Sequence, residues 1–168
     1  MNTITGEIMS LSSLNKILIT GAKGYIGKFL IKFLSSKGYS IIRFSDDLNK
    51  TRKLPPCSLI IHCAGKKPKS GVEIDDFVYG NVIANLNLAN LARNIPIIYL
   101  STMAVYVLKP YGVSKLLGEQ ILKEKHGKVY ILRLPRVVDK DSDGDITLTL
   151  NEVGDKILET INSLPVKD

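Results

Sequence analysis

Thr20-Gly21-Ala22-Lys23-Gly24-Tyr25-Ile26-Gly27 is the stretch from which the rest of the chain can be read. It follows Lys16-Ile17-Leu18-Ile19, a short apolar run of strand character, and precedes Phe29-Leu30-Ile31-Lys32-Phe33-Leu34, whose apolar positions suit a buried helix. In such a strand-turn-helix unit Gly21 permits the sharp turn, Gly24 lets backbone approach a pyrophosphate, and Gly27 lets the helix pack closely on the sheet. Unpaired N–H groups and the positive end of the helix then face the anion. Lys23, Tyr25 and Ile26 alternate with these glycines and fall within reach of the same ligand. An ordinary corner between strand and helix is the competing reading, and the flanking elements favour the phosphate cradle.

Tyr111-Gly-Val-Ser-Lys115 opens a second helical pattern, with tyrosine and lysine one turn apart on one face. A phenol titrates near ~10 and is a poor base at neutral pH. A neighbouring ammonium or an oxidised nicotinamide ring would favour the phenolate. Tyr-x-x-x-Lys is common on solvated helices, but Ser101-Thr102 ends the apolar run Ile97-Ile98-Tyr99-Leu100 and offers a hydroxyl for the same substrate oxygen. A phosphate cradle followed by a proton-moving pair points to redox chemistry on a nicotinamide cofactor.

With these stretches in place the chain resembles the extended short-chain dehydrogenase/reductases, in the NAD(P)-dependent epimerase/dehydratase branch that modifies nucleotide sugars. The resemblance rests on the glycine loop, Ile61-His62-Cys63-Ala64-Gly65, Asn81-Val82-x-x-Asn85-Leu86-x-Leu88, Ser101-Thr102-Met103-Ala104-Val105-Tyr106, Tyr111 to Glu119, and Leu132-Arg133-Leu134-Pro135, in family order. It implies an α/β fold, a Rossmann-like doubly wound parallel sheet with helices on both faces. It also implies that Tyr111 is the acid/base, that Lys115 lowers its pKa while bonding the nicotinamide ribose, and that Thr102 rather than Ser101 is the catalytic hydroxyl. Cys63, Ala64, Gly65 and Lys67 would pass along the cofactor, Leu134 and Pro135 would lie near the nicotinamide, and Asn81 would belong to the cofactor site while stabilising a bend in its helix.

Departures from the family pattern narrow this reading. Dehydratases of the branch carry Asp-Glu directly after the catalytic threonine, where this chain has Met103-Ala104, so sugar dehydration is not expected. Four residues, Val107-Leu108-Lys109-Pro110, separate Tyr106 from Tyr111, where relatives hold a longer substrate loop. Ten residues, Leu48 to Cys57, are too few for a helix plus a strand, so the third strand-helix unit is expected to be reduced. Cofactor choice depends on the end of the second strand, where an acid binds a ribose 2′-hydroxyl and a small residue beside a cation admits a 2′-phosphate. Family spacing lands on Ser45, with Asp46 next and Arg43 two before; with Lys23 in the glycine loop this favours NADP over NAD, although a solvated strand end explains Arg43 and Asp46 as well.

The domain reading is one globular unit: residues 1–15 a flexible extension, 16–138 the dinucleotide-binding domain, and 139–168 a short remnant of the substrate lobe packed on it. A chain of 168 residues buries about two-thirds of its unfolded surface. In the tail, Ile146-Thr147-Leu148-Thr149-Leu150 reads as a strand and Asn151 as the cap of a helix through Ile161. The shortened lobe leaves the substrate pocket open or completed by another chain.

Hydrophobic residues make up 45% and charged residues 23%, with no apolar run near the ~20 residues of a membrane span and no signal-peptide pattern, so a cytoplasmic protein is expected. Cys57 and Cys63 read as reduced thiols, since no partner ligands at metal spacing accompany them. The net charge of +7 includes Lys66, Lys67 and Lys69 and, near a helix end, Lys123, Lys125 and Lys128. Without a stacking pattern this fits anionic small molecules better than nucleic acid. Asp139-Lys-Asp141-Ser-Asp143-Gly144-Asp145 copies half a calcium loop, but its twelfth position is Leu150 where a bidentate glutamate is needed, so a polar turn and no metal are expected. His62 and His126 read as structural. Two functions remain open: an epimerase or ketoreductase on a nucleotide sugar, for which the resemblance implies a homodimer through the helices flanking Asn81 and Tyr111, and a non-catalytic NAD(P)-binding module that senses cofactor or supports a partner.

Overall fold

The computed structural model describes residues 16–138 and 147–165. Strand β1 (Lys16–Thr20) turns through the glycine loop into helix α1 (Tyr25–Ser36), and β2 (Ser40–Phe44) returns beside β1. After β3 (Leu59–His62), helix α2 (Ile74–Phe77) continues through a π turn (Val78–Ile83) into α3 (Ala84–Ala92). Strand β4 (Ile97–Thr102), a 3₁₀ turn (Met103–Tyr106), α4 (Pro110–His126) and β5 (Val129–Leu134) follow, then β6 (Arg136–Val138), β7 (Thr147–Thr149) and α5 (Leu150–Asn162).

The five longer strands are all parallel, in the order β2-β1-β3-β4-β5. Because β1 and β3 are buried on both faces, Ile17-Leu18-Ile19 and Leu59-Ile60-Ile61 are continuously apolar, as the inner strands of parallel sheets are. Successive side chains alternate between two cores. Ile17, Ile19, Leu59, Ile61, Ile98 and Leu100 meet α1 and α5, whereas Leu18, Ile60, Ile97 and Tyr99 meet α3 and α4. The sheet is therefore doubly wound, with helices on both faces.

Among the described residues nothing pairs with the outer side of β2, and residues 48–57 hold turns and loop with neither helix nor strand. The reduced third unit thus leaves β2 at the edge. Since β1 lies between β2 and β3, the winding direction reverses beside it, and the crevice beyond the strand ends at that point is where such sheets take ligands.

The tail differs from its expected boundaries. Strand β7 covers Thr147–Thr149, Leu150 already belongs to α5, and the cap is Thr149 rather than Asn151. Thr149 accepts from the Glu152 N–H while the Glu152 carboxylate accepts from the Thr149 N–H, a reciprocal capping box. Val153, Gly154, Ile157 and Ile161 form the buried stripe of α5 facing α1, and a Cβ at Gly154 would meet the Phe33 ring at 2.8 Å. β6 and β7 pair in parallel. The extension over residues 1–15 and the acidic stretch Asp139–Asp145 lie outside the described residues. No helix among those described is long and apolar enough to cross a membrane.

Candidate active site

A cavity of about 560 Å³ opens at the C-terminal ends of β1, β3 and β4. Gly21, Gly24, Tyr25, Ile26 and Gly27 line it from the first turn, Cys63, Gly65 and Lys67 from the loop after β3, and Thr102, Tyr111 and Pro135 from the opposite side. A smaller adjoining hollow adds Ala64, Lys115 and Leu134. The structure therefore gathers most of the residues read from the sequence around one crevice.

The glycines make a cradle that side chains would fill. Gly21 has φ +64°, and a Cβ there would sit 2.7 Å from the Ala64 nitrogen. At Gly27 a Cβ would come within 2.3 Å of the Gly21 carbonyl oxygen. Gly24 is looser, with that same oxygen at 3.1 Å, and it begins α1 with no side-chain cap. A twelve-residue helix thus starts at the cavity without a side-chain cap, the kind of helix end at which anions bind. The lining supplies Lys67, Lys115 and Arg136 but no carboxylate. Backbone approach, a helix start without a side-chain cap and cationic walls fit the pyrophosphate of a dinucleotide.

Lys23, Arg43, Ser45 and Asp46 are exposed and line neither hollow. Asn81 is buried and also lines neither: its Oδ1 accepts from the Lys66 N–H at 2.7 Å, and its Nδ2 donates to the Lys66 carbonyl at 3.0 Å and to Ser114 Oγ at 2.9 Å. It braces the loop after β3 from within the π turn, where a direct cofactor contact was expected. The basic residue beside it is paired, Lys66 to Asp76 at 3.1 Å.

Strand alternation separates the two candidate hydroxyls. Ser101 donates to Glu119 Oε1 of α4 at 2.5 Å and lines the smaller hollow, whereas Thr102 lines both hollows with Tyr111 and caps the 3₁₀ turn by accepting from the Ala104 N–H at 3.2 Å. The Tyr111 ring leans on buried Phe77, with centroids 5.8 Å apart. Burial raises the Tyr111 pKa, while the hydrogen bond with Thr102 works to lower it. This corrects the expected depression by Lys115, whose ammonium faces the strand instead. Lys115 Nζ donates to the Leu100 carbonyl at 2.8 Å and sits 4.1 Å from the centroid of the Tyr99 ring. Desolvation pulls its pKa down to about 7 against the attraction of Glu119 and Cys63. Burial pushes the Cys63 thiol up to about 12 and the Cys57 thiol to about 11, so both are protonated, and both are free.

Sequence reasoning missed two features. Arg136 lines the cavity from the start of β6, signalled only by its place after Pro135. Glu119, fully buried, receives Arg133 Nε at 3.0 Å and Nη2 at 2.6 Å besides Ser101, and Arg133 Nη1 donates to Tyr106 Oη at 2.7 Å. Burial raises the Glu119 pKa, but the bonds from Arg133 and Ser101 outweigh it and hold the carboxylate below its ordinary value. The spacing of Glu119 four residues after Lys115, on one helix face, was the available signal.

A doubly wound parallel sheet with a glycine cradle at its switch point defines a dinucleotide-binding protein of the Rossmann type. Residues 17–142 match the NAD dependent epimerase/dehydratase family, and the chain belongs to that family. It is 32% identical over 138 residues to the UDP-2-acetamido-2,6-beta-L-arabino-hexul-4-ose reductase of Pseudomonas aeruginosa, an alignment covering 74% of this chain and 36% of that protein. Thus the chain spans about a third of the length of this curated relative. Among solved structures, a dTDP-4-dehydrorhamnose reductase from Bacillus anthracis in complex with NADP superposes with a TM-score of 0.72 at 23% identity, over 89% of this chain and 71% of that one. A putative NAD-dependent epimerase/dehydratase from Bacillus halodurans gives 0.76 at 17% identity, over 88% of each chain.

Proposed function

We propose that the chain binds NADP or NAD and carries the proton-transfer machinery of an epimerase or ketoreductase acting on a nucleotide-activated sugar. The observation that carries this is the convergence of Thr102 and Tyr111 on the same cavity as the glycine cradle. The nucleotide-sugar substrate follows from the relatives, one named for a UDP-linked and another for a dTDP-linked sugar. The carboxylate-free lining with Lys67 and Arg136 suits such a dianion.

When bound, the nicotinamide supplies the hydride donor or acceptor. Tyr111 gives its phenolic proton to the sugar oxygen or takes it back, and Thr102 holds that oxygen by its hydroxyl. Lys115 orients the site from beneath, while Lys67 and Arg136 hold phosphate. Arg43 beside Ser45 at the end of β2 favours NADP. Residues 16–138 form the cofactor domain. Ile74, Val78, Tyr79, Ile83, Val113 and Leu117 are exposed apolar side chains on α2, its π turn and α4, and a homodimer through these elements would cover them. A cytoplasmic location accords with this chemistry.

The second reading, a non-catalytic cofactor-binding module, keeps the glycine cradle and gives Thr102 and Tyr111 no proton to move. Calorimetry with NADPH and NADH, followed by a panel of UDP- and dTDP-linked ketosugars with nicotinamide oxidation and epimer formation measured separately, tests both. Binding with turnover supports the enzyme, binding without turnover supports the module, and absence of binding removes both.

A further inference from the structure

Three buried polar side chains, Thr20, His62 and Asn85, join the two turns that form the floor of the cavity and take no part in the steps above. Thr20 Oγ1 lies 2.6 Å from His62 Nδ1, and His62 Nε2 lies 2.7 Å from Asn85 Oδ1. The Ala64 N–H also reaches Thr20 Oγ1, at 3.2 Å. These contacts point to one arrangement of protons in the row. A backbone N–H can only donate, so Thr20 accepts from Ala64, and its own proton goes to the acceptor beside it, His62 Nδ1. The ring proton is then on Nε2 and is donated to Asn85 Oδ1. Both ring nitrogens and the Thr20 hydroxyl are satisfied in this arrangement, and a second ring proton would oppose the Thr20 hydroxyl proton.

We propose that His62 is a positioning residue for the cofactor: as the Nε2–H tautomer it locks the turn at Gly21 against the turn at Ala64–Gly65 and so sets the spacing of the phosphate cradle. The inference rests on the cofactor reading above. Those two turns touch backbone to backbone, since a Cβ on Gly21 would fall within 2.9 Å of both the Ala64 Cα and the Cys63 carbonyl carbon. Thr20 immediately precedes one turn and His62 the other, so a shift of the ring displaces both. The surroundings keep the ring neutral. Tyr99 of β4 stacks on it at 5.2 Å, Asn85 of α3 accepts from it, and the Lys115 ammonium of α4 repels a positive charge. Burial is the leading cause of a pKa pulled down to about 3.

Long-range ¹H–¹⁵N spectra of the full chain should show His62 protonated at Nε2 alone, unchanged between about pH 5 and about pH 8, while a free imidazole titrates near 6.5. Calorimetry should show the cofactor dissociation constant of His62→Leu and of Thr20→Val raised by about 10- to 100-fold, as when a buried donor or acceptor loses its partner. His62→Gln, which retains an acceptor and a donor, should restore affinity to within about threefold. At saturating cofactor, kcat should stay near the wild-type value. A proton on Nδ1, titration near neutrality, or a folded His62→Leu that binds like wild type overturns the role of the histidine and leaves the cofactor reading standing. A wild-type chain that binds neither nucleotide overturns both. If His62→Leu does not fold, the wild-type tautomer and the affinity of His62→Gln against Thr20→Val decide the matter.

Discussion

The ammonium of Lys115 is hydrogen-bonded to the carbonyl oxygen of Leu100, and so β4 rather than Tyr111 orients it. The lysine is buried beneath a cleft that needs cationic character, and burial moves its titration to about pH 7. The Tyr111 phenol stays protonated above its ordinary range at the same time. The pair therefore stands as a protonated phenol beside a lysine whose charge burial disfavours.

Stability should register this lysine. Its folded pKa, about 7, is below the ordinary 10.5, so between those values the unfolded chain binds more protons and stability rises with pH. Below about pH 7 the full penalty of a buried charge applies. Lys115→Met should therefore be more stable than wild type on the acid side of neutrality, with the difference shrinking as pH rises toward 10.5. Urea denaturation across that range checks it, and a difference independent of pH would sink the assignment.

Much of this was legible before the fold was known, because the glycine spacing and the apolar runs of β1, β3 and β4 are local signals. The reduced unit after β2 followed from a residue count. That Leu100 and Thr102 share a strand face that Ser101 does not was legible from strand period alone. What stayed hidden depended on tertiary environment. Desolvation reversed the expected direction at Tyr111, and Lys115 found a closer acceptor in Leu100 than any group on its own helix. Asn81 was read as a ligand contact because nothing in the sequence shows that Lys66 backbone and Ser114 would occupy its amide. The cap moved from Asn151 to Thr149 because Glu152, three residues on, completes a box with threonine.

The cradle can be tested without collapsing the turn. A side chain at Gly27 would strike the Gly21 carbonyl, but at Gly24 that oxygen stands back at 3.1 Å. Gly24→Val should fold and yet fill the space a pyrophosphate needs, weakening cofactor binding by about tenfold or more. Unchanged affinity by calorimetry in a variant with a wild-type melting curve would contradict the placement.

Cofactor preference should answer to the end of β2. A carboxylate at Ser45 would repel a 2′-phosphate and accept from a 2′-hydroxyl, so Ser45→Asp should shift preference toward NAD, and Arg43→Ala should weaken NADP selectively. Affinities for NADPH and NADH on the same preparations give the ratio. A ratio unmoved by both changes would place the adenosine ribose elsewhere.

The buried ion pair should be asymmetric to mutation. Arg133 is 29% exposed and Glu119 fully buried, so Arg133→Met strands a carboxylate in the interior and should cost about 3 kcal/mol. Glu119→Gln in the same chain removes that charge and should recover a large part of the loss. Guanidinium denaturation of the two single variants and the double variant measures the coupling, and additive effects would mean the pair contributes nothing.

Tyr111→Phe separates chemistry from binding. Phenylalanine keeps the ring against Phe77 and removes only the hydroxyl, so cofactor affinity should hold. If Tyr111 moves the proton, turnover of a responsive nucleotide sugar should fall by about 10²- to 10⁴-fold, the usual weight of general acid–base catalysis. Thr102→Val should weaken turnover while leaving the nucleotide bound, because its hydroxyl is assigned to the sugar oxygen. In a module without catalysis neither substitution has a rate to lower. A knockout fully complemented by the Tyr111→Phe chain, together with cofactor binding and no turnover of any sugar in the panel, would therefore decide for the binding module over the enzyme.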